Sequence, residues 1–399
     1  MTKPGGDSSK PTALFLSPEA PYPLAGGGAL RSAALLNYLA QRYTVHLVVF
    51  REPMAPEPAN ALPPGLVSQV RTIPLPFHAR TPAARVARNV RRYLRGVPPL
   101  VDRFSGFDLP PFNRDTPYDL AVIEHSWAAT YHTQLAPIAR RVVLDLHNIE
   151  SVLHARSAAA GRGPAAIAHR RFAACSRTLE RDWLPKFDLV LAPSDADAAQ
   201  VREIAPATKA AVYPNTIPAV AAPERQEMDI IAFSGNMEYH PNTAAVHYFR
   251  REIWPGLRER FPGLNWVLLG KNPLAVAGQM EDDPRIRVLG GVENAIDALA
   301  LAKVAVAPLL AGSGTRIKIL EAWAAGVPVV STTIGAEGLP ARHGEHLLIA
   351  DQPAEFARAV AGLLESEELR RRLGAAGRAL YEAEFTWEAG WRRLGALGI

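Results

Sequence analysis

The chain has 399 residues, too many for one ordinary core, and points to two domains of about 200 residues each. Hydrophobic residues make up 48% and charged residues 21%, which excludes a disordered chain; the net charge is only +5. The single cysteine, Cys175, excludes an internal disulfide framework.

In chain order, Thr12–Ser17 reads as a strand. Pro21-Tyr22-Pro23-Leu24-Ala25-Gly26-Gly27-Gly28 then forms a glycine loop that feeds a helix over Ala29–Gln41. A strand, glycine loop and helix let backbone approach a phosphate closely. The loop does not match G-x-G-x-x-G, so no dinucleotide fingerprint is present. Strands follow at Thr44–Phe50, Tyr118–Glu124, Arg141–Leu146 and Phe187–Ala192, with a helix over Ala165–Trp183. Arg80, Arg85, Arg88, Arg91, Arg92, Arg95 and Arg103 cluster between the second and third strands. Val86, Val90, Tyr93, Leu94 and Val97 interleave with them at helical spacing. The pattern predicts an amphipathic helix with a basic outer face, either simply solvated or set against an anionic acceptor or lipid surface. No nucleic-acid motif accompanies these arginines.

His125 follows an apolar strand directly, and His147 sits in Leu144-Asp145-Leu146-His147-Asn148-Ile149-Glu150. Both belong at strand carboxyl ends, where ligands of parallel-sheet domains bind. No zinc spacing accompanies them. Ser194-Asp195-Ala196-Asp197 looks like a metal-binding D-x-D, but Ser194 before two aspartates reads better as a helix cap.

Pro214–Glu227, rich in Pro and Ala, reads as a linker, and the pattern then restarts. Strands are expected at Asp229–Ser234, Asn265–Gly270, Arg285–Leu289, Lys303–Pro308, Val327–Ser331 and His346–Ile349. Helices are expected at Thr243–Arg260, Ala295–Ala302, Thr315–Ala325, Ala354–Glu365 and Leu369–Phe385. Two domains follow: residues 1–215 and 226–385, with 386–399 packing back on the first. Near-continuous apolar strands alternating with helices make each a parallel, doubly wound sheet, with a cleft expected between them.

The most informative stretch is Ser313-Gly314-Thr315-Arg316-Ile317-Lys318-Ile319-Leu320-Glu321-Ala322-Trp323-Ala324-Ala325-Gly326. A glycine turn opens a short helix, whose amino end suits a phosphate. Arg316 and Lys318 stand in its first turn, where the helix dipole disfavours cations, and an anion is the simplest reason. Lys318 and Glu321 share a face, about 4.5 Å apart along the axis. Phe233-Ser234-Gly235-Asn236-Met237-Glu238-Tyr239-His240-Pro241-Asn242 gives a second strand, turn and helix start, with Asn236 and His240 able to bond a phosphate or sugar.

On these motifs the chain resembles the family 4 retaining glycosyltransferases of GT-B fold, in a bacterial subgroup that builds surface polysaccharides. The resemblance runs from roughly Leu14 to Leu394. It implies that Glu321, matching the second glutamate of E-x7-E, binds the ribose hydroxyls of a nucleotide. Gly27 and Gly28 match the loop approaching the donor diphosphate, and His125 a histidine near the transferred sugar. The first glutamate would fall at Ser313, and the Arg and Lys that many relatives carry after Gly235 are absent. Asn236, Met237 and Glu238 stand there, so Arg316 and Lys318 are expected to supply that charge.

The expected activity is sugar transfer from a UDP- or GDP-sugar to an acceptor hydroxyl on a glycan, lipid-linked or small-molecule acceptor, with retention. His125, Lys318 and Arg316 are the expected catalytic groups. Gly27, Gly28, Gly235, Asn236, Gly314, Thr315 and Glu321 are expected on the donor, and His147, Asn148 and His240 on acceptor or sugar. No metal and no cofactor are expected. A nucleotide-sugar epimerase or a non-catalytic nucleotide- or glycan-binding protein are the competing readings. Met1–Pro11 lacks an apolar signal core and no run approaches the ~18–20 apolar residues of a membrane span. The expected location is therefore cytoplasmic, peripheral at the inner membrane face through Arg85–Arg95.

Overall fold

The structure is a computed structural model that describes residues 10–24, 26–79, 81–110, 116–161, 163–292, 294–311 and 316–399. Gly314 and Thr315 lie outside the described residues, as does Ser313. The chain divides into two compact units: residues up to Tyr213 with Leu394–Ile399, and Pro214–Arg393.

The described residues of the first unit form a seven-stranded sheet, ordered β3-β2-β1-β4-β5-β6-β7. The strands are β1 (Thr12–Ser17), β2 (Thr44–Arg51), β3 (Gln69–Pro74), β4 (Leu120–Glu124), β5 (Val142–Asp145), β6 (Leu189–Ala192) and β7 (Ala210–Val212). All neighbours pair in parallel. Ala13–Leu16 and Ala121–Ile123 are fully buried, because a parallel sheet covered on both faces needs apolar side chains pointing both ways. The helix Gly27–Arg42 buries Ala33–Leu36, Tyr38 and Leu39. Each large apolar side chain so removed from water contributes about 1.5–3 kcal/mol. Only the last six residues join this unit: the Tyr38 hydroxyl donates to the Ile399 carbonyl at 2.6 Å and Arg141 to that of Gly398 at 2.6 Å.

The second unit repeats the winding, ordered β10-β9-β8-β11-β12-β13. Its strands are β8 (Met228–Ser234), β9 (Asn265–Leu269), β10 (Ile286–Leu289), β11 (Ala302–Ala307), β12 (Val329–Ser331) and β13 (Leu348–Ile349). The stretch 214–227, expected as a linker, packs into this unit. Arg225 donates to the carbonyls of Gly326 at 2.6 Å and Ala302 at 2.8 Å, and Ile217 pairs with Thr386. The single helix expected over Thr243–Arg260 starts at His240 and carries a π turn at Phe249–Ile253. Pro255 lacks the N–H that an uninterrupted α-helix would need there.

The basic helix forms over Pro82–Arg95, but its faces differ from expectation. Val86, Val90 and Leu94 are 63%, 51% and 70% exposed, and Phe77 beside it is 73% exposed. Arg92 turns inward and pairs with Asp102 at 2.8 Å. The apolar stripe thus lies at the surface among the arginines rather than beneath them. Ser194 does cap its helix, accepting from the Asp197 N–H at 3.1 Å and donating to that carboxylate at 2.6 Å.

Candidate active site

In each sheet the strand order reverses between two central neighbours, β1 and β4 in one and β8 and β11 in the other. Ligands of doubly wound sheets bind beyond the carboxyl ends of the strands at such a point. Polar residues end the apolar strands there: Ser17 on β1, Glu124 on β4, Asp145 on β5 and Ser234 on β8.

In the first unit Ser17 bonds Glu124, and both are fully buried. Arg31 grips Asp145 with two bonds, Nε to Oδ2 at 2.8 Å and Nη2 to Oδ1 at 2.6 Å. Its remaining nitrogen reaches the Tyr213 carbonyl at 2.8 Å. His147 places Nε2 3.4 Å from Glu124 and 3.5 Å from Asp145. Burial alone would lower its pKa, but the two carboxyl groups outweigh that and push it up to about 9. His147 is therefore an imidazolium at neutral pH. Asp145 is pushed upward by burial and pulled further down by Arg31 and His147.

His125 sits directly beyond β4 with φ 69°, a left-handed conformation uncommon outside glycine. Its N–H donates to the Asp145 carbonyl at 2.8 Å. Its ring stacks on Trp127 at 4.4 Å and lies 3.8 Å from that of His147. Burial, then the His147 and Arg31 charges, holds its pKa well below the usual histidine range. A neutral imidazole thus lies beside a cationic one.

The helix Gly27–Arg42 opens onto this cluster with no acidic residue in its first turn and no side-chain cap. A Cβ built on Gly28 would lie 3.8 Å from both Nδ1 of His147 and the Glu19 carboxylate. The helix amino end and the imidazolium both favour negative charge at this point, which the Glu19 carboxylate already partly supplies. Glu124, Asp145 and His147 also offer three ligand atoms within 4.8 Å of one another, a spacing a divalent cation could use. However, Arg31 occupies both Asp145 oxygens and His147 holds a proton, so a metal would have to displace both cations.

In the second unit the helix Ile317–Ala324 carries Lys318 and Glu321 on one face. Trp323, fully buried on another face, fills a notch left by Gly377, where a Cβ would collide with the indole. That wedge fixes the helix rotation. The Ser234 hydroxyl donates to Glu321 at 3.1 Å. Burial pushes the Glu321 pKa up, while Ser234 and Lys318 pull against it. Lys318 donates to the Asn242 carboxamide at 2.9 Å and lies 5.1 Å from the Phe233 ring centroid. Burial, then the Arg316 charge, lowers its pKa to about 8, against the pull of Glu321.

Arg316 differs from expectation. It is the helix's N-cap rather than part of the first turn, and it is buried. Its guanidinium bonds the Glu337 carbonyl at 3.2 Å and carboxylate at 3.3 Å. It therefore acts on Lys318 through its field. Asn236 accepts from the Glu238 N–H at 3.0 Å and from Asn272 at 2.9 Å, tying two loops together. Asn242, the last residue of that strand–turn stretch, links the Asn236 carbonyl to Lys318. Gly235, at φ 153°, backs onto Gly270, whose Cβ would strike the Gly235 carbonyl. His240 is exposed at the start of its helix, and Asn148 follows His147 half-buried. Ser17, Arg31, Glu124 and Asp145 went unassigned in the sequence reading. A charged residue ending an otherwise apolar strand was the available signal for Glu124 and Asp145.

Residues 229–366 match the family described as glycosyl transferases group 1. The phosphatidyl-myo-inositol mannosyltransferase of Mycobacterium tuberculosis is 26% identical over 383 residues, covering 90% of each chain. That of Mycobacterium leprae is 36% identical over 131 residues, 31% of this chain and 34% of the relative. Among solved structures, sucrose-phosphate synthase of Thermosynechococcus elongatus gives a TM-score of 0.67 at 18% identity, with 98% of both chains covered. Anabaena HepE in complex with UDP and glucose gives 0.65 at 14% identity, covering 97% of this chain and 98% of that one. The chain thus has the GT-B fold, and the match of its second unit to the group 1 glycosyl transferases, with mannosyltransferase relatives, supports a hexosyltransferase.

Proposed function

We propose that the chain transfers a hexosyl group from a nucleoside diphosphate sugar, UDP- or GDP-linked, to an acceptor hydroxyl, with retention and without a metal. One observation carries the donor reading: Ser234, Lys318 and Glu321 meet at the strand-order reversal of the unit that matches the family. The names of the relatives support it, since the mycobacterial ones are mannosyltransferases and HepE is seen with UDP-glucose. Glu321, oriented by Ser234, accepts from the ribose hydroxyls. Lys318 and the amino end of its helix face the diphosphate, where leaving-group charge develops. Arg316 adds positive potential behind Lys318. Gly27, Gly28 and the His147 imidazolium form a second anion site, and neutral His125 accepts from a sugar or acceptor hydroxyl. These fixed cations take the place of a metal.

No helix among the described residues is long and apolar enough to cross a membrane. The stripe Val86, Val90 and Leu94 among arginines supports the reading that the chain docks peripherally on an anionic membrane surface, at the cytoplasmic face. The test of the donor reading is thermal unfolding with UDP, GDP and ADP, with and without EDTA. One diphosphate should raise the midpoint through mass action, and EDTA should leave the shift intact. Absence of a shift with all three, or its loss in EDTA, would refute the reading.

A further inference from the structure

A cavity of about 120 Å³ opens in the first unit between the helices Pro99–Phe104, Glu150–Ala160 and Gly163–Trp183. Pro99, Val101, Trp127, Leu153 and Leu179 give it its apolar wall. The volume is on the scale of a cavity that admits one six-membered ring. Polar residues also border it: Ser126, His154, Ser176 and two carboxyl groups, Glu150 and Glu180. Glu150 is only 8% exposed, and no hydrogen bond to its carboxyl is found among the described residues. Its neighbour Glu180 is satisfied, accepting from the Ser151 N–H at 3.1 Å and hydroxyl at 2.5 Å.

An unpaired buried carboxyl costs stability, more so beside a second one. Position at the first turn of a helix offsets part of that, but supplies no partner for the oxygens. The cavity adjoins the reaction machinery through Trp127, which lines it and stacks on His125.

We propose that this cavity seats a ring-sized apolar group carrying a hydroxyl, which bonds the Glu150 carboxyl; on the transferase reading it is an end of the acceptor. A hydroxyl both donates and accepts, so it pairs with the carboxyl in either protonation state. That versatility matters here, because burial and then Glu180 raise the Glu150 pKa to about 7.

The probe is 4-methylphenol, with toluene as the analogue lacking the hydroxyl, read by thermal unfolding and calorimetry on the full chain. 4-Methylphenol should bind about tenfold more tightly than toluene. Glu150→Leu should erase that preference while toluene still binds. Leu179→Phe and Leu153→Phe, each filling the cavity, should abolish both responses. No response at saturating 4-methylphenol, or a response unchanged in the filled variants, overturns the pocket. In a transfer assay the phenol should compete with the acceptor; competition with the donor overturns the acceptor assignment. Loss of the nucleotide response would strike the donor reading, while the phenol response reports the pocket alone.

Discussion

The Ser234 hydroxyl, at the carboxyl end of β8, donates to the Glu321 carboxylate at 3.1 Å. The same pairing recurs in the first unit, where Ser17 ends β1 and meets Glu124. In both, a serine on the first strand of the unit holds a carboxyl at the reversal of strand order. In the second unit this bond fixes the carboxylate's aim before any ligand arrives. Glu321→Ala should therefore weaken nucleoside diphosphate binding ten- to a hundredfold, about 1.5–3 kcal/mol for a bond to a charged group. Ser234→Ala should cost less, since it frees the carboxylate without removing it. Calorimetric titration checks both, and wild-type affinity in Glu321→Ala removes that residue from the donor site.

Lys318 gives the site a pH signature. Its pKa is lowered to about 8 in the free enzyme by burial and by Arg316. A diphosphate beside the ammonium would raise it again, so binding takes up protons as pH rises toward and past 8. Affinity should be level below pH 7 and fall through about pH 8. Lys318→Met should bind about ten- to a hundredfold more weakly at pH 7. Its affinity should lose the decline near pH 8. Titrations in two buffers of different ionisation enthalpy count the protons; equal apparent heats at pH 8 would sink this.

His147 makes the opposite kind of contribution, to stability. Its pKa is raised from the ordinary 6.5 to about 9 by Asp145 and Glu124 against the cost of burial. A raised folded-state pKa on a base stabilises fully below the unfolded value. That contribution, of order 3 kcal/mol, is lost as pH rises through about 9. Wild type should thus lose stability between pH 6.5 and 9, and His147→Gln should show a much flatter profile there. Denaturant midpoints across that range decide it. Below pH 4 a separate loss is expected as Asp145, held low by Arg31 and His147, takes up a proton.

The sequence exposed the central strands and the face shared by Lys318 and Glu321, because parallel strands buried on both sides must be apolar throughout. It concealed β3 and β7, which lie at sheet edges. There Gln69, Arg71 and Pro74 break the apolar run of β3, and β7 is only three half-buried residues. It pointed to His125 and His147 but could not assign their charges. Those depend on Arg31, 114 residues from Asp145 in sequence, and on a left-handed turn at His125 that no composition reveals. Arg316 misled for a related reason: its partner, Glu337, lies 21 residues further on and draws the guanidinium aside.

The helix Pro82–Arg95 supplies the last prediction. A soluble helix normally turns its apolar stripe to the core, yet here Val86, Val90 and Leu94 face outward. Arg85, Arg91 and Arg95 of the same helix are exposed, Arg95 also pairing with Asp102 at 3.4 Å, so charge attraction can act alongside apolar insertion. Full-length enzyme should co-sediment with vesicles containing phosphatidylglycerol and far less with pure phosphatidylcholine, and salt should weaken the former. Val90→Asp with Leu94→Asp should abolish sedimentation. Because both side chains are already exposed, the unfolding midpoint should move little, by the equivalent of about 0.5 kcal/mol per site. Equal binding to neutral vesicles would show that the arginines do not select the surface, and binding retained in the double variant would show that the stripe does not insert.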